Sequence, residues 1–273
     1  MFGDFLENVK IKKPIIHNIT NFVTANDCAN ILLAAGASPI MANEYKEMAD
    51  ITRLSHGLNI NLGTINDSLV PSMLLAGKLS NELSHPVVLD LVGVGASSYR
   101  FDVCKRLIKQ IKFSVIKGNI SEIKTLILEK NFSNGVDARS LDQVSENSIL
   151  NSLETIKSYA KKVQCTLVVT GPVDLVTNGD QSILIENGHT IMADITGSGC
   201  MLSALISAFI SSNKDEIFKA TAAAVSAFGL AGEIAYTRLN DLDGSGTFRT
   251  YLIDGIYNMR PDDLNKNSKY REI

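Results

Sequence analysis

Short apolar segments alternate with longer amphipathic ones along most of the chain, and this alternation limits the folds that are open to it. Five segments have the character of β-strands: Ser38–Met41, Leu58–Asn61, Val87–Leu91, Phe113–Lys117 and Leu167–Thr170. Helical patterns predict helices at Asn21–Ala35, Glu44–Leu54, Asp67–Leu83, Phe101–Lys109, Ser121–Leu128 and Asn147–Lys162. This β-turn-α order predicts right-handed crossovers and a mostly parallel sheet that helices cover on both faces.

The pattern changes in the last third of the chain. Asp174–Thr177 and Gln181–Glu186 flank Asn178-Gly179-Asp180, a strong hairpin signal, which predicts an antiparallel pair at the edge of the sheet. Consecutive helices are then predicted at Cys200–Ser211, Glu216–Leu239 and Gly246–Tyr257. The polar tail after Arg260 is expected to be loosely held. Because no linker or repeat divides the chain, we expect one domain over residues 1–273.

The composition fits a globular protein that needs no disulfide or structural metal, since 45% of its 273 residues are hydrophobic and 20% are charged. A formal net charge of −3 with no basic stretch argues against a nucleic-acid partner. The cysteines, Cys28, Cys104, Cys165 and Cys200, lack zinc-site spacing and fit a reducing compartment. With no signal peptide and no membrane span apparent, we expect a cytoplasmic location.

The strongest local signal for chemistry is a glycine-rich segment, Thr196-Gly-Ser-Gly-Cys200, that runs directly into an apolar helix. Gly197 and Gly199 allow a sharp turn, after which unpaired N–H groups and the positive end of the helix dipole point at one place. Such a junction binds an anion and stabilises charge that develops during a reaction. A glycine-rich helix start without a ligand explains the same spacing equally well.

Cys200 stands in the first turn of this predicted helix, where the pKa of a thiol tends to fall. One interpretation is a proton acceptor that faces a substrate alcohol. The other is a small residue of the hydrophobic core, and a lone cysteine favours the core.

Charged or polar residues end several predicted strands, at the edge where parallel sheets bind ligands. Asp90 is a candidate for holding Mg²⁺ directly or through water. Lys117 could meet a phosphate, Glu122 a water on the metal, and Thr170 a phosphate or ribose. For Asp90 a turn or helix-capping role is equally open, and Glu122 also fits a simple first-turn acid of a helix.

Taken in order, six segments resemble the signatures of the ribokinase-like superfamily and, within it, of the hydroxyethylthiazole kinase family. They are His17-Asn-Ile-Thr-Asn-Phe-Val-Thr, Gly36-Ala-Ser-Pro-Ile-Met-Ala42, Asn61-Leu-Gly-Thr64, Val87-Val-Leu-Asp90, Ile116-Lys-Gly-Asn-Ile-Ser-Glu122 and Thr196-Gly-Ser-Gly-Cys-Met-Leu202. The first two are typical of the thiazole kinases, whereas the glycine-rich segment is shared more widely. His17 itself, with no second metal ligand spaced near it, is expected to have a structural hydrogen-bonding role.

The resemblance implies a ribokinase-like three-layer α/β/α sandwich with a central, mostly parallel sheet and a C-terminal run of helices. It implies a kinase that uses ATP and Mg²⁺ to phosphorylate the hydroxyl of 4-methyl-5-(2-hydroxyethyl)thiazole in thiamine salvage. It also implies a homotrimer with the thiazole pocket at the boundary between subunits. The alternatives are a kinase for the hydroxymethylpyrimidine half of thiamine and a non-catalytic regulator that binds thiazole or nucleotide.

The resemblance places the substrate pocket at Met41, Asn21, Gly63 and Gly197. Methionine suits an aromatic sulfur heterocycle because its side chain is adaptable and polarizable. The anion hole is implied at Gly197 and Gly199. The resemblance also implies that the substrate alcohol attacks the γ-phosphate in line near Cys200.

By the same resemblance Lys117 and Thr170 contact ATP, and Asp90 and Glu122 organise Mg²⁺. Lys117 stands where the family often has Arg, so the charge is kept but the bidentate fork is lost. Cys200 is implied as the proton acceptor, where the wider superfamily usually has Asp. Phosphoryl transfer tolerates a weak base, because its loose transition state depends mainly on positioning and charge stabilisation.

Overall fold

The computed structural model describes residues 1–129 and 149–273. Within them one sheet is formed by strands β1 (Ile15–Ile19), β2 (Ser38–Met41), β3 (Gly57–Asn61), β4 (Val87–Asp90), β5 (Val115–Asn119), β6 (Thr166–Thr170), β7 (Asp174–Thr177), β8 (Ser182–Ile185) and β9 (Tyr270–Glu272). Their order across the sheet is β2-β1-β3-β4-β5-β6-β7-β8-β9. The first six strands pair in parallel and the last three pair antiparallel. The alternating pattern predicts the mostly parallel sheet, and the hairpin signal predicts the antiparallel pair β7 and β8.

Helices cover both faces of this sheet. They are α1 (Phe2–Lys12), α2 (Ala25–Ala35), α3 (Met48–Leu54), α4 (Leu69–Glu82), α5 (Ser98–Gln110), α6 (Ile120–Leu128), α7 (Leu153–Val163), α8 (Ser198–Ser212), α9 (Ile217–Thr237), α10 (Ser245–Asn258) and α11 (Pro261–Asn267). The hydrophobic core on one face contains residues of α1, α2 and α8–α11, and the core on the other contains residues of α3–α7. The predicted three-layer α/β/α architecture with a C-terminal helical run is therefore confirmed.

Strand β4 shows why the central strands are continuous apolar runs. Val88 packs into one core, while Val87 and Leu89 pack into the other. Successive side chains of a strand point to opposite faces, and here both faces are covered, so every position before the strand's end must be apolar. The polar residue that ends β4, Asp90, therefore has to find its partners along the edge of the sheet.

The chain reverses its winding direction at β1. Strand β2 pairs with one side of β1, and the next strand, β3, pairs with the other side. Ligands of open α/β sheets bind in the crevice outside the carboxyl ends of the strands at such a switch point. Because the sheet is parallel from β2 to β6, the carboxyl ends of those strands share one edge.

The expectation of a loosely held tail after Arg260 is wrong. Residues beyond it form α11 and the edge strand β9, which pairs with β8. Leu264 is fully buried, and the ring of Tyr270 lies 4.6 Å from the ring of Phe2 in α1. These few apolar contacts hold the segment against the rest of the molecule. The prediction failed because it relied on the overall polarity of the segment, which does not show them.

The first helix and the first strand escaped prediction. In β1 the polar residues His17 and Asn18 interrupt the apolar pattern, yet both are buried. The helix predicted from Asn21 begins at Ala25 instead. Of the helix predicted at Asn147–Lys162, the first two residues lie outside the described residues, and the described part contains α7.

One helix of the described residues, over Lys214–Thr237, is long and apolar enough to cross a membrane by length and composition. Within its most apolar window 78% of the residues are buried inside the molecule. Core helices of globular proteins pass the same test, and this helix packs between α8 and α10.

Candidate active site

Three polar side chains form a row across neighbouring strands at the carboxyl edge of the sheet. The strand register pairs Asn61 with Asp90, and Asp90 with Lys117. Residues in register on adjacent strands point to the same face, so their side chains meet. Asp90 Oδ1 accepts a hydrogen bond from Lys117 Nζ at 2.9 Å, and its Oδ2 accepts one from Asn61 Nδ2 at 2.9 Å. All three residues are buried.

Lys117 also connects the sheet to the glycine-rich segment. Its Nζ donates to the carbonyl oxygen of Gly199 at 3.1 Å, and a Cβ at Gly199 would lie only 2.9 Å from that nitrogen. Burial lowers the pKa of Lys117, but the charges of Asp90 and Glu122 outweigh it and leave the pKa above its ordinary value. The ammonium group therefore stays charged. Within the described residues two of its three N–H bonds have partners, which leaves one for a ligand.

Asn61 is a site residue that sequence reasoning missed. Its Nδ2 donates to Asp90 and, at 3.2 Å, to Cys200 Sγ. Its Oδ1 accepts from the backbone N–H of Gly63 at 2.8 Å and from Asn21 Nδ2 at 3.2 Å. The signal was present, because Leu58-Asn-Ile-Asn61 ends in a polar residue at the same edge as Val87-Val-Leu-Asp90.

Cys200 lies in the first turn of α8 beneath this row. Its Sγ accepts hydrogen bonds from Asn61 Nδ2 and, at 3.3 Å, from Asn21 Nδ2. Its pKa is raised, first by burial and then by the negative charge of Asp90, which outweigh the opposing effect of Lys117. The expectation that the helix N-terminus lowers this pKa is therefore wrong, and the thiol is protonated at neutral pH.

Glu122 lies in the first turn of α6 and has partners for both carboxylate oxygens. One accepts from the backbone N–H of Gly93 at 2.9 Å, and the other accepts from that of Asn119 at 2.8 Å in a capping box. Burial raises its pKa, opposed by the charge of Lys117 and the bond from Gly93. Glu122 is thus a first-turn acid, as its alternative interpretation has it, and it also closes a capping box that was not predicted. Its carboxylate still lies within electrostatic reach of Lys117.

The helix start predicted as an anion hole is open. Gly197 has φ +89° and precedes α8, and no side chain within residues 1–129 and 149–273 caps the helix. The first N–H groups of an α-helix lack partners within the helix, so those of α8 are available to an anion. A Cβ at Gly197 would collide with Thr24 Cγ2, so the N-terminal ends of α2 and α8 approach each other here. Only glycine fits this conformation without strain.

Met41 does not join the row. It lines a cavity of about 200 Å³ at the switch point, which lies between the three segments that follow β1, β2 and β3. Thr20, Asn43 and Thr64 line this cavity with it, whereas Asn21 lies on the side of Cys200. Met41 is 38% exposed and the neighbouring Phe22 is 81% exposed.

Thr170 ends β6 on the other side of the row, where its register partner is Asn119. Strand β7, which follows the next turn, begins with a second residue that sequence reasoning missed, Asp174, whose Oδ1 accepts from the N–H of Gly171 at 2.9 Å. Burial raises the pKa of Asp174 to about 7, against the opposing effects of that bond and of Lys117. The half-buried carboxyl group of Asp174 therefore lies within electrostatic reach of Lys117.

The donors fit Mg²⁺ only in part. No group of three His, Cys, Asp or Glu side chains within residues 1–129 and 149–273 could hold a metal ion. Every carboxylate oxygen of Asp90 and Glu122 accepts a protein hydrogen bond. Mg²⁺ at phosphate sites usually keeps several waters and takes ligands from the substrate phosphates. The carboxylates of Asp90 and Glu122, close to a helix N-terminus that is open to an anion, suit an ion held in that way, through water.

A buried ammonium group beside an open helix N-terminus can hold the phosphates of a substrate in place while a phosphoryl group moves. The pyridoxal kinase from Staphylococcus aureus in complex with ADP has a similar fold, with a TM-score of 0.63 and 14% identity over 96% of this chain and 99% of that one. The fold of the chain is the ribokinase-like fold of small-molecule kinases.

The sequence model of the hydroxyethylthiazole kinase family matches residues 6–262. A hydroxyethylthiazole kinase from Clostridium acetobutylicum is 47% identical over 270 residues, which cover 99% of each chain. The structure of a hydroxyethylthiazole kinase protein from Pyrococcus horikoshii OT3 superposes with a TM-score of 0.87 and 34% identity, over 100% of this chain and 98% of that one. The chain belongs to the hydroxyethylthiazole kinase family and is a kinase.

Proposed function

We propose that this chain transfers the γ-phosphate of ATP to the hydroxyl group of 4-methyl-5-(2-hydroxyethyl)thiazole, as a single kinase domain in thiamine salvage. The observation that carries the proposal is that Lys117 Nζ donates two hydrogen bonds, one to the carboxylate of Asp90 and one to the carbonyl oxygen of Gly199. It ties the charged row of the sheet to the helix start that receives the phosphate. The names of the relatives supply the substrate class.

The cavity at Met41 is the proposed thiazole site. Its volume of about 200 Å³ is below the roughly 300–1,000 Å³ of sites for drug-sized ligands, so it suits one small ring. The Met41 side chain is adaptable enough to cover a sulfur heterocycle. Asn21 and Gly63 lie between this cavity and Cys200, where the hydroxyethyl arm would reach the phosphate.

The phosphates of ATP are proposed to lie over the N-terminus of α8, with Gly197 and Gly199 allowing their close approach. The remaining N–H bond of Lys117 and the hydroxyl of Thr170 would meet the same phosphates. Because the N–H groups of α8 are fixed in place, each can stabilise the charge of the transition state by ~3 kcal/mol. Mg²⁺, organised by Asp90 and Glu122 through water, would neutralise phosphate charge when bound.

Cys200 is proposed to position the alcohol. A thiol that stays protonated does not suit the proton-acceptor role that the resemblance implies, although its sulfur lies where the alcohol would attack. Its two bonds from Asn21 and Asn61 fix the sulfur in place. Transfer through a loose transition state needs an oriented alcohol more than a strong base.

The exposed apolar residues beside the cavity support a contact between subunits, and the family resemblance implies that the assembly is a homotrimer. Phe22 is 81% exposed, Val23 57%, Tyr45 52% and Met41 38%. Apolar patches of this kind next to a binding site usually mark an interface. We propose that a second subunit covers them and closes the thiazole site, and that the enzyme acts in the cytoplasm.

The test is release of ADP by the purified protein with ATP, Mg²⁺ and hydroxyethylthiazole, with mass spectrometry to identify the phosphorylated thiazole. Product that forms only when all three are present supports the proposal. Preference for the hydroxymethylpyrimidine alcohol would contradict the substrate assignment. Thiazole binding by calorimetry without any turnover would indicate a regulator instead.

A further inference from the structure

His17 is completely buried in β1 and joins two elements beside the thiazole cavity. Its Nε2 lies 3.0 Å from the carbonyl oxygen of Ala42, in the chain that leaves β2. Its Nδ1 lies 3.5 Å from Thr52 Oγ1 in α3. The expected structural hydrogen-bonding role of His17 is thus confirmed, and its partners show which part of the molecule it holds.

The ring of His17 has one protonation state at neutral pH. Burial lowers its pKa to about 4, although the bond to Ala42 opposes this shift, so the imidazole is neutral. A carbonyl oxygen only accepts hydrogen bonds, so Nε2 must carry the proton that is donated to Ala42. Nδ1 is then the acceptor, and the hydroxyl of Thr52 donates to it. This tautomer therefore satisfies both ring nitrogens with the partners in place.

Residues 41–43 form one side of the cavity and are named here the pocket wall. The parallel ladder between β1 and β2 ends at the pair of Asn18 and Met41, just where the pocket wall begins. Apart from bonds inside helices and strands, Ala42 has one hydrogen bond within the described residues, and it is the bond from His17. The position of the wall after the end of the ladder therefore depends on this contact.

We propose that His17 is a positioning residue for substrate specificity, which fixes the pocket wall, and with it Met41, at the distance that fits the thiazole ring. This inference rests on the proposed function. The side chain of Met41 is partly exposed and flexible, so its place over a ring is set by its backbone. His17 does not touch the ring, and its effect on binding passes through the carbonyl of Ala42.

Two substitutions separate this role from a general contribution to stability. In glutamine an amide nitrogen stands three bonds from Cβ, as Nε2 does in histidine, so His17→Gln can still donate to Ala42. In asparagine the nitrogen stands only two bonds from Cβ, so His17→Asn loses this bond. Both variants lose the ring and its packing, and both are expected to lower the melting temperature to a similar extent.

The readouts are the KM for hydroxyethylthiazole, the KM for ATP and the preference for the thiazole over the hydroxymethylpyrimidine alcohol. We expect His17→Asn to raise the KM for the thiazole about tenfold, equivalent to about 1.4 kcal/mol or one buried hydrogen bond, with the KM for ATP within about twofold. The preference for the thiazole should fall, and His17→Gln should restore most of both losses. An unchanged thiazole KM in folded His17→Asn, or equal increases for both substrates, overturns the proposal.

If His17→Asn does not fold, Thr52→Val decides. Thr52→Val keeps the imidazole of His17 and nearly the volume of residue 52, but it removes the hydroxyl that donates to Nδ1 and helps to hold the ring in its orientation toward Ala42. A rise in the thiazole KM of about threefold with an unchanged KM for ATP is therefore expected. No change in either constant would overturn the inference. If the proposed function is wrong, the unaltered enzyme will not turn over the thiazole. If only this inference is wrong, the unaltered enzyme will be active, and the KM for the thiazole will be the same in the variant and in the unaltered enzyme.

Discussion

Gly199→Ala tests the link between Lys117 and the glycine-rich segment most directly. The added Cβ would lie 2.9 Å from Lys117 Nζ, whereas ordinary contact begins at 3.4 Å. The ammonium group must therefore shift by roughly 0.5 Å, in a buried place where it is bonded on two sides. We expect the variant to remain folded but to hold ATP less well.

The magnitude follows from two opposing effects. If the 2.9 Å bond between Lys117 and Asp90 lengthens by roughly 0.5 Å, the Coulomb attraction weakens by about 1 kcal/mol at an effective dielectric constant of about 20. Replacing glycine by alanine inside a helix stabilises it by about 1 kcal/mol. The net change in the free energy of unfolding is therefore close to zero. Loss of one charged hydrogen bond to ATP, by contrast, corresponds to a rise in its KM of about tenfold or more.

Gly246→Ala is the matched control. Gly246 is the second residue of α10, as Gly199 is the second residue of α8, and an added Cβ there meets no atom within 4 Å. This control should gain the helix stabilisation without any change in kinetics. The assays are thermal unfolding and steady-state kinetics with varied ATP. A KM for ATP within twofold of the unaltered enzyme, together with a gain in stability equal to that of Gly246→Ala, would refute the proposed contact.

Three further outcomes are expected. Gly197→Ala should lower both the melting temperature and the turnover, because φ +89° is strained for alanine and its Cβ meets Thr24; normal values in both assays contradict this. Cys200→Ala should lower kcat about tenfold without abolishing it. Because the pKa of the Cys200 thiol is raised above 9.0, the pH–rate profile of the unaltered enzyme should show no ionisation of this thiol below pH 9.0. An ionisation of Cys200 below that pH would restore the thiolate as a base. Asp174 has its pKa raised from 3.8 to about 7, so the unfolded state loses this proton first and the native state is progressively destabilised as the pH rises through that interval. Denaturant unfolding should show that, as the pH rises from 3.8 to about 7, the free energy of unfolding of Asp174→Asn increases relative to that of the unaltered protein. A difference in this free energy that does not change with pH would contradict the raised pKa of Asp174.

The arrangement of the sheet was predictable because its strands are buried on both faces. In a chain whose apolar segments alternate with amphipathic helices, the continuous apolar run Val87-Val-Leu89 fits a strand that is buried on both faces. The polar residue that follows it must then lie at the carboxyl edge of the sheet. Strand β1 was not predictable in the same way. The side chains of its buried polar residues, His17 and Asn18, form hydrogen bonds to the carbonyl oxygens of Ala42 and Ile16. A hydrophobic pattern in the sequence gives no sign of such bonds.

The position of the site was predictable from the same logic, but its connections were not. Asp90 and Lys117 were identified because each ends or nearly ends a strand, and the register places them side by side. Asn61 has the same position on β3 and was missed, because an amide draws less attention than a charge. Its four hydrogen bonds show that a neutral residue connects the carboxylate, the thiol and the substrate side of the site.

The pKa of Cys200 shows why motif reasoning fails where several effects compete. A helix N-terminus lowers the pKa of a thiol that remains in contact with water. Here burial and the charge of Asp90 both favour the neutral thiol, and the charge of Lys117, which favours the thiolate, is already engaged by that same Asp90. The ion pair therefore has two effects, since it holds the ammonium group of Lys117 in place and leaves the neighbouring thiol protonated. Under the proposed function, the rate would therefore come from fixed positive charge and an oriented alcohol rather than from proton abstraction by sulfur.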